Sequence, residues 1–141
     1  MAINGPIISI EDDEDDQLLI EIAVKTLKIS NELHFFPNGQ EALDYLETTA
    51  EKPLLILCDV NMPLMNGLEL RKRINENEYL RRKSIPFIFL TTRPSQEDVQ
   101  IAYDQTVQGF YEKPVQYKEL QKQISLIVEY WQNCLHPNRG V

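Results

Sequence analysis

Apolar residues in this chain fall into short blocks that alternate between two rhythms. Pro6-Ile7-Ile8-Ser9-Ile10 is a compact, β-branched run of the kind that forms a buried strand. Leu18, Leu19, Ile22, Ala23 and Leu27 then recur at helical spacing. Leu33 to Phe36 predicts a second strand, stopped by Pro37. Asn38 is placed to cap a helix whose inner face is Ala42, Leu43 and Leu46. Leu54-Leu55-Ile56-Leu57-Cys58 is apolar throughout, as a central strand covered on both faces must be. Pro63 and Gly67 punctuate a loop from Asn61 to Gly67, and Leu68, Leu70 and Ile74 begin the next helix. Phe87 to Leu90 is a fourth strand, and Pro94-Ser95 opens a helix through Val99 to Tyr103. Gly109-Phe110-Tyr111 is a short fifth strand. Leu120, Ile124, Ile127, Val128 and Trp131 form the inner stripe of a last amphipathic helix, followed by a tail from His136 to Val141 expected to fray.

Five strand–helix pairs in alternation predict an α/β sandwich with a parallel sheet and right-handed crossovers. A length of 141 residues suits one domain, and no repeat or long linker divides it. In such sheets ligands gather at the carboxyl ends of the strands. Glu11, Asp12 and Asp13 follow the first strand and Asp59 the third. Thr91 and Thr92 follow the fourth, and Lys113 and Pro114 the fifth.

Carboxylates crowded together either take up a proton or recruit a cation. Oxygens from Asp12 and Asp59, completed by water and phosphate oxygens, suit Mg²⁺. No His or Cys joins them, which argues against zinc there. The run from Asp12 to Asp16 lacks the alternating spacing and central glycine of a calcium-binding loop. A carboxylate nucleophile is already ionised at neutral pH, so phosphoryl transfer to it needs positioning and charge neutralisation rather than a base. Lys113 and Thr91 carry suitable donors, and the backbone N–H groups around Val60 and Thr92 could add others.

Charge and composition narrow the classes further. A net charge of −8 argues against direct nucleic-acid binding. The longest apolar runs are too short for membrane insertion, and no basic segment followed by an apolar run marks a secretory signal. Two cysteines, Cys58 and Cys134, make no disulfide framework and fit a cytoplasmic location.

With these motifs in hand, the chain resembles the receiver domain of bacterial two-component response regulators over about residues 5 to 133, leaving a short tail at 134 to 141. Ile8-Ser9-Ile10-Glu11-Asp12-Asp13 is similar to the family's acidic-pair motif. Leu57-Cys58-Asp59-Val60-Asn61-Met62-Pro63, with Gly67, is similar to its phosphoacceptor motif. Phe89-Leu90-Thr91-Thr92 and Gly109-Phe110-Tyr111-Glu112-Lys113-Pro114 resemble its switch-threonine and lysine motifs. The resemblance implies a flavodoxin-like (βα)5 three-layer sandwich with strand order 2-1-3-4-5. It implies phosphorylation of Asp59, with Mg²⁺ held by Asp12, Asp59 and the Asn61 carbonyl, and by Glu11 mainly through water. Lys113 would contact the phosphoryl group, with a cis bond to Pro114. Thr91 would swing toward the phosphate and Phe110 turn inward, changing a face formed by the fourth helix, fifth strand and fifth helix. The partners implied are a sensor histidine kinase or histidine phosphotransfer domain and a downstream target protein. A homodimer through that switching face would involve Tyr103, Phe110 and Tyr117.

Phe110 stands where many members carry Tyr, so its ring has no hydroxyl to anchor either state. Asn61 and Arg93 flank the path of attacking water. Asp13 reads as a helix-start residue, Cys58 as a small core residue, and Trp131 and Tyr130 as either core closure or a partner surface. His34 and His136 look isolated. Only about ten residues follow the last helix, so a stand-alone regulator acting non-covalently is expected, not a turnover enzyme. Two other readings remain: a receiver fold kept only for binding, and a phosphohydrolase of the haloacid dehalogenase type. The latter wants a second Asp where Asn61 stands.

Overall fold

The computed structural model describes residues 2–137. After a 3-10 turn at Ala2–Asn4, the strands are β1 (Ile7–Ile10), β2 (Leu33–Phe36), β3 (Leu55–Cys58), β4 (Phe87–Thr91) and β5 (Gly109–Glu112). The helices are α1 (Glu14–Thr26), α2 (Gly39–Thr48), α3 (Gly67–Glu76), α4 (Glu78–Lys83), α5 (Gln96–Asp104) and α6 (Tyr117–Asn133). All strand pairs are parallel, and the sheet runs β2-β1-β3-β4-β5, the expected order.

Alternating side chains of the central strands feed two cores. Ile8, Ile10, Ile56, Cys58, Phe87 and Phe89 point to one face, where α2, α3 and α5 close over them with Ala42, Leu46, Leu70 and Ala102. Ile7, Leu55, Leu57, Ile88 and Leu90 point to the other, packed on α1 and α6 through Ile20, Ala23, Leu120, Ile124 and Ile127. At about 1.5–3 kcal/mol per fully buried large apolar side chain, these two layers are the main drive to fold.

Helix starts follow capping chemistry. The Asp13, Asn38, Asn66, Asn77 and Ser95 side chains each accept a backbone N–H from the first turn of the helix they precede. Asp13 is thus the helix-start residue its position suggests. Gly67 is demanded by space: a Cβ there would lie 2.2 Å from the Asp59 carbonyl oxygen and 2.6 Å from the Phe89 ring. The start of α3 therefore lies hard against the loop that follows β3 at Asp59.

Four expectations need correction. Six α-helices are described, not five, because Asn77 ends α3 and starts the one-and-a-half-turn α4, too short and polar for periodicity to detect. The expected fourth and fifth helices are consequently α5 and α6. In α1 the buried residues are Ile20, Ala23 and Val24, while Leu18, Leu19 and Ile22 are exposed. Apolar residues on both sides of α1 left its phase ambiguous. The Lys113–Pro114 peptide is trans, the form X–Pro bonds prefer by about 0.5–1 kcal/mol, and the flexible lysine stem reaches the site from it. Finally, the tail does not fray from His136: that side chain is buried, and its Nε2 bonds to the Trp131 carbonyl at 2.8 Å. Residues 138–141 of the expected tail lie outside the described residues.

Candidate phosphoacceptor site

The sheet ladder runs one residue past its strands, and this fixes the site. Glu11 N–H donates to the Phe36 carbonyl at 2.9 Å, Asp59 N–H to Ile10 at 3.0 Å, and Lys113 N–H to Thr91 at 2.7 Å. Four chemically distinct residues are thereby held at one rim by backbone bonds that do not involve their side chains.

Their side chains converge. Glu11, Asp12 and Asp59 each offer a carboxylate oxygen within 4.8 Å of the others. The Lys113 ammonium donates to Glu11, to Asp16 Oδ2 at 2.9 Å and to Asp59 Oδ2 at 3.4 Å. Asp59 Oδ1 accepts from the Val60 N–H at 2.7 Å and from the Thr91 hydroxyl. Asp59, Glu11 and Thr91 are buried, whereas Asp12 and Asn61 are exposed at the mouth. An oxygen-rich pocket with one solvent-facing side is suited to a hard divalent cation, and no nitrogen or sulfur ligand competes.

Three carboxylates, Glu11, Asp16 and Asp59, surround one ammonium, and burial magnifies the imbalance. Desolvation pushes the Glu11 carboxyl up to about 7 although Lys113 opposes it. Burial alone would pull Lys113 down, but its bonds to Glu11 and Asp16 and the Asp59 charge hold it above the usual lysine range. The lysine is firmly cationic, and Glu11 carries the cost of the surplus negative charge.

Of the expected site residues, Glu11, Asp12, Asp59, Thr91 and Lys113 are brought together. The Thr91 hydroxyl already bonds to Asp59, so no outward position is seen for it to swing from. Phe110 is half-buried, its ring 5.4 Å from that of Phe89. Asp16 was missed. It sits in the first turn of α1, three residues past the Asp13 cap, hidden within a run of six acids. Cys58 is a buried core residue whose thiol burial holds far from ionisation. Trp131 closes the core over α6, while Tyr130 stays exposed against its edge. His34 is not isolated; it lies beside Glu32, Glu51 and Tyr45.

A parallel five-stranded sheet with this acid, hydroxyl and lysine arrangement at its carboxyl rim defines a two-component receiver. The family model of the response regulator receiver domain matches residues 7–125, and the chain belongs to that family. It is 32% identical to the response regulator Rcp1 of Synechocystis, with 89% of this chain and 87% of that protein covered. It is 31% identical to a probable methanogenesis regulatory protein, FilR2, of Methanothrix harundinacea, covering 89% of this chain and 82% of the relative. Among solved structures it is similar to the phosphorylated cyanobacterial phytochrome response regulator RcpA, with a TM-score of 0.86, 28% identity, and 96% of this chain and 99% of the other covered. The Mn²⁺-bound form of Rcp1 aligns with a TM-score of 0.81 at 30% identity, covering 93% of this chain and 96% of that one. Among the described residues no helix is long and apolar enough to cross a membrane.

Proposed function

We propose that this receiver accepts a phosphoryl group on Asp59 from a phosphohistidine donor and uses it to change which partner its α5-β5-α6 face binds. The observation that carries this reading is the meeting of Lys113 and Thr91 on opposite oxygens of one buried carboxylate, beside a cluster of oxygen ligands. A phosphorylated relative and a Mn²⁺-bound relative of similar fold support it.

Asp12, Asp59 and the Asn61 carbonyl would hold Mg²⁺, with Glu11 acting through water; the ion supplies neutralisation of charge on the phosphoryl oxygens. Oδ1 of Asp59 is engaged by Val60 and Thr91, while Oδ2 meets only the longer approach of Lys113. Oδ2 is thus the freer oxygen to attack phosphorus, forming the O–P bond as the P–N bond to the donor imidazole breaks. Lys113 then pairs with a phosphoryl oxygen, and Thr91 and the Val60 N–H turn from Oδ1 to others. A phosphoryl group carrying about −1.5 to −2 stands where the carboxylate carried a single charge, which makes that rearrangement worth the loss of the present bonds. Thr91 ends β4 and Phe110 packs on Phe89 within it, so the hydroxyl's shift is felt at the Phe110 ring and hence on α5, β5 and α6.

The donor is a sensor histidine kinase or a histidine phosphotransfer domain in the cytoplasm, and a downstream protein reads the result. The exposed Leu18 and Ile22 of α1 offer the donor an apolar seat on the helix that also supplies Asp16. A homodimer through α5-β5-α6 would use Tyr103, which is exposed, and Phe110; Tyr117 is largely taken up by core packing. The product stays on the protein, so the chain is no turnover enzyme.

Incubation with acetyl phosphate, with and without Mg²⁺, followed by intact-mass measurement tests this reading. The expected result is gain of one phosphoryl group only with Mg²⁺, and none in Asp59→Asn. A wild-type mass unchanged under both conditions would leave a binding module instead.

A further inference from the structure

Toward the amino-terminal side of the sheet, away from Asp59, a second group of ligand-type side chains meets. Glu32 immediately precedes β2, His34 lies on it, and Glu51 lies in the connection from α2 to β3. β2 is an edge strand, paired only with β1, so this corner faces solvent. His34 Nε2 is 3.4 Å from Glu51 Oε1 and 3.6 Å from Glu32 Oε2. Yet that nitrogen is shielded from solvent and makes no hydrogen bond. A shielded ring nitrogen without a partner is an uncommon and costly arrangement.

The separations fit something smaller than a water seated between the three groups. Zinc takes His nitrogen at about 2.0–2.1 Å and carboxylate oxygen at about 2.0–2.2 Å in a tetrahedron, so ligand atoms stand about 3.4 Å apart along its edges. Two of the three ligands are also held in place. The Tyr45 hydroxyl donates to Glu51 Oε1 at 2.7 Å, and the Glu51 N–H donates to Thr49 Oγ1 at 3.0 Å. The His34 ring packs edge-on against Tyr45, with centroids 5.9 Å apart. Hydrogen bonds to a ligating carboxylate, as from Tyr45 to Glu51, orient ligands around metals. Burial and the bond to Glu51 raise the Tyr45 hydroxyl to about 12, so it stays a donor at neutral pH.

We propose that Glu32, His34 and Glu51 form a second cation site, for a borderline divalent ion such as Zn²⁺, with the fourth position left to water. The imidazole selects against Mg²⁺, which demands oxygen ligands, so the two ends of the sheet would hold different metals. Two carboxylates and a neutral imidazole leave a bound Zn²⁺ with no net charge to compensate, a favourable state at a half-exposed position.

Zn²⁺ titration against a chromophoric chelator, in excess Mg²⁺ to occupy the Asp59 site, tests the proposal. One Zn²⁺ per chain is expected. Affinity should fall at least about tenfold in His34→Gln and in Glu51→Gln, and stay unchanged in Asp12→Asn. His34→Gln should still gain one phosphoryl group from acetyl phosphate, or, if the chain proves not to be phosphorylated, keep the wild-type circular dichroism spectrum and melting temperature. The absence of saturable Zn²⁺ binding in excess Mg²⁺, or binding lost with Asp12 and kept without His34, would overturn it.

Discussion

At Asp59 the two carboxylate oxygens have different neighbours, and much of the chemistry follows from that asymmetry. Oδ1 accepts from Val60 and Thr91 while Oδ2 faces Lys113, so one side chain is both anchored and available. Glu11 is the electrostatic counterpart: burial pushes it up to about 7, so near neutral pH it is partly protonated, and an arriving divalent ion would displace that proton. A protonated Glu11 is neutral and offers that ion less. Mg²⁺ affinity is therefore expected to weaken as pH falls through 7, by up to about tenfold per unit well below it, and to level off above. Calorimetric titrations near pH 6 and pH 8 should differ, with protons released at the lower value; equal affinities would contradict the assignment. Most of these residues were legible in the sequence, because Glu11, Asp59 and Thr91 each come first after an apolar run and Lys113 comes one residue later. Asp16 was not, since nothing in a run of six acids marks the one that turns toward Lys113.

The strands were legible from their short apolar blocks, the half-buried β2 and β5 as well as the fully buried central three. β1, β3 and β4 are covered on both faces, and their largely apolar runs, with Ser9 inside β1 and Thr91 ending β4, placed them to within a residue or so. The α1 helix is the opposite case. Ile20, Ala23 and Val24 face the core, yet Leu18, Leu19 and Ile22 add a second apolar side, and periodicity alone cannot tell core from docking surface. That outer side abuts the helical turn carrying Asp16, which gives it a use. Leu18→Asp is expected to leave phosphorylation by acetyl phosphate unchanged while slowing transfer from a phosphorylated histidine domain about tenfold or more, as for loss of a central apolar contact. Equal rates with the protein donor would remove α1 from the docking surface. The short α4 could not be read from pattern, being six residues held by one asparagine cap and the Leu80 anchor.

At the scale of the molecule, parallel strands bring residues far apart in sequence to one rim, and the loops on the far side are free for other uses. Buried Arg71 illustrates how the halves are tied: from α3 it donates to the carbonyls of Gln105 at 3.1 Å and Thr106 at 3.0 Å, fixing the turn that leads from α5 into β5. This staple, invisible to hydrophobic patterning, ties α3 to the turn between α5 and β5. The sandwich and the strand order agree with the family resemblance, while the trans Lys113–Pro114 bond departs from it. The most direct measurement is to locate the phosphoryl group. After phosphorylation in Mg²⁺, borohydride reduction converts an aspartyl phosphate to homoserine, and peptide mass mapping finds where. Homoserine at position 59 alone is predicted; modification of any other residue, or of none, would contradict the account.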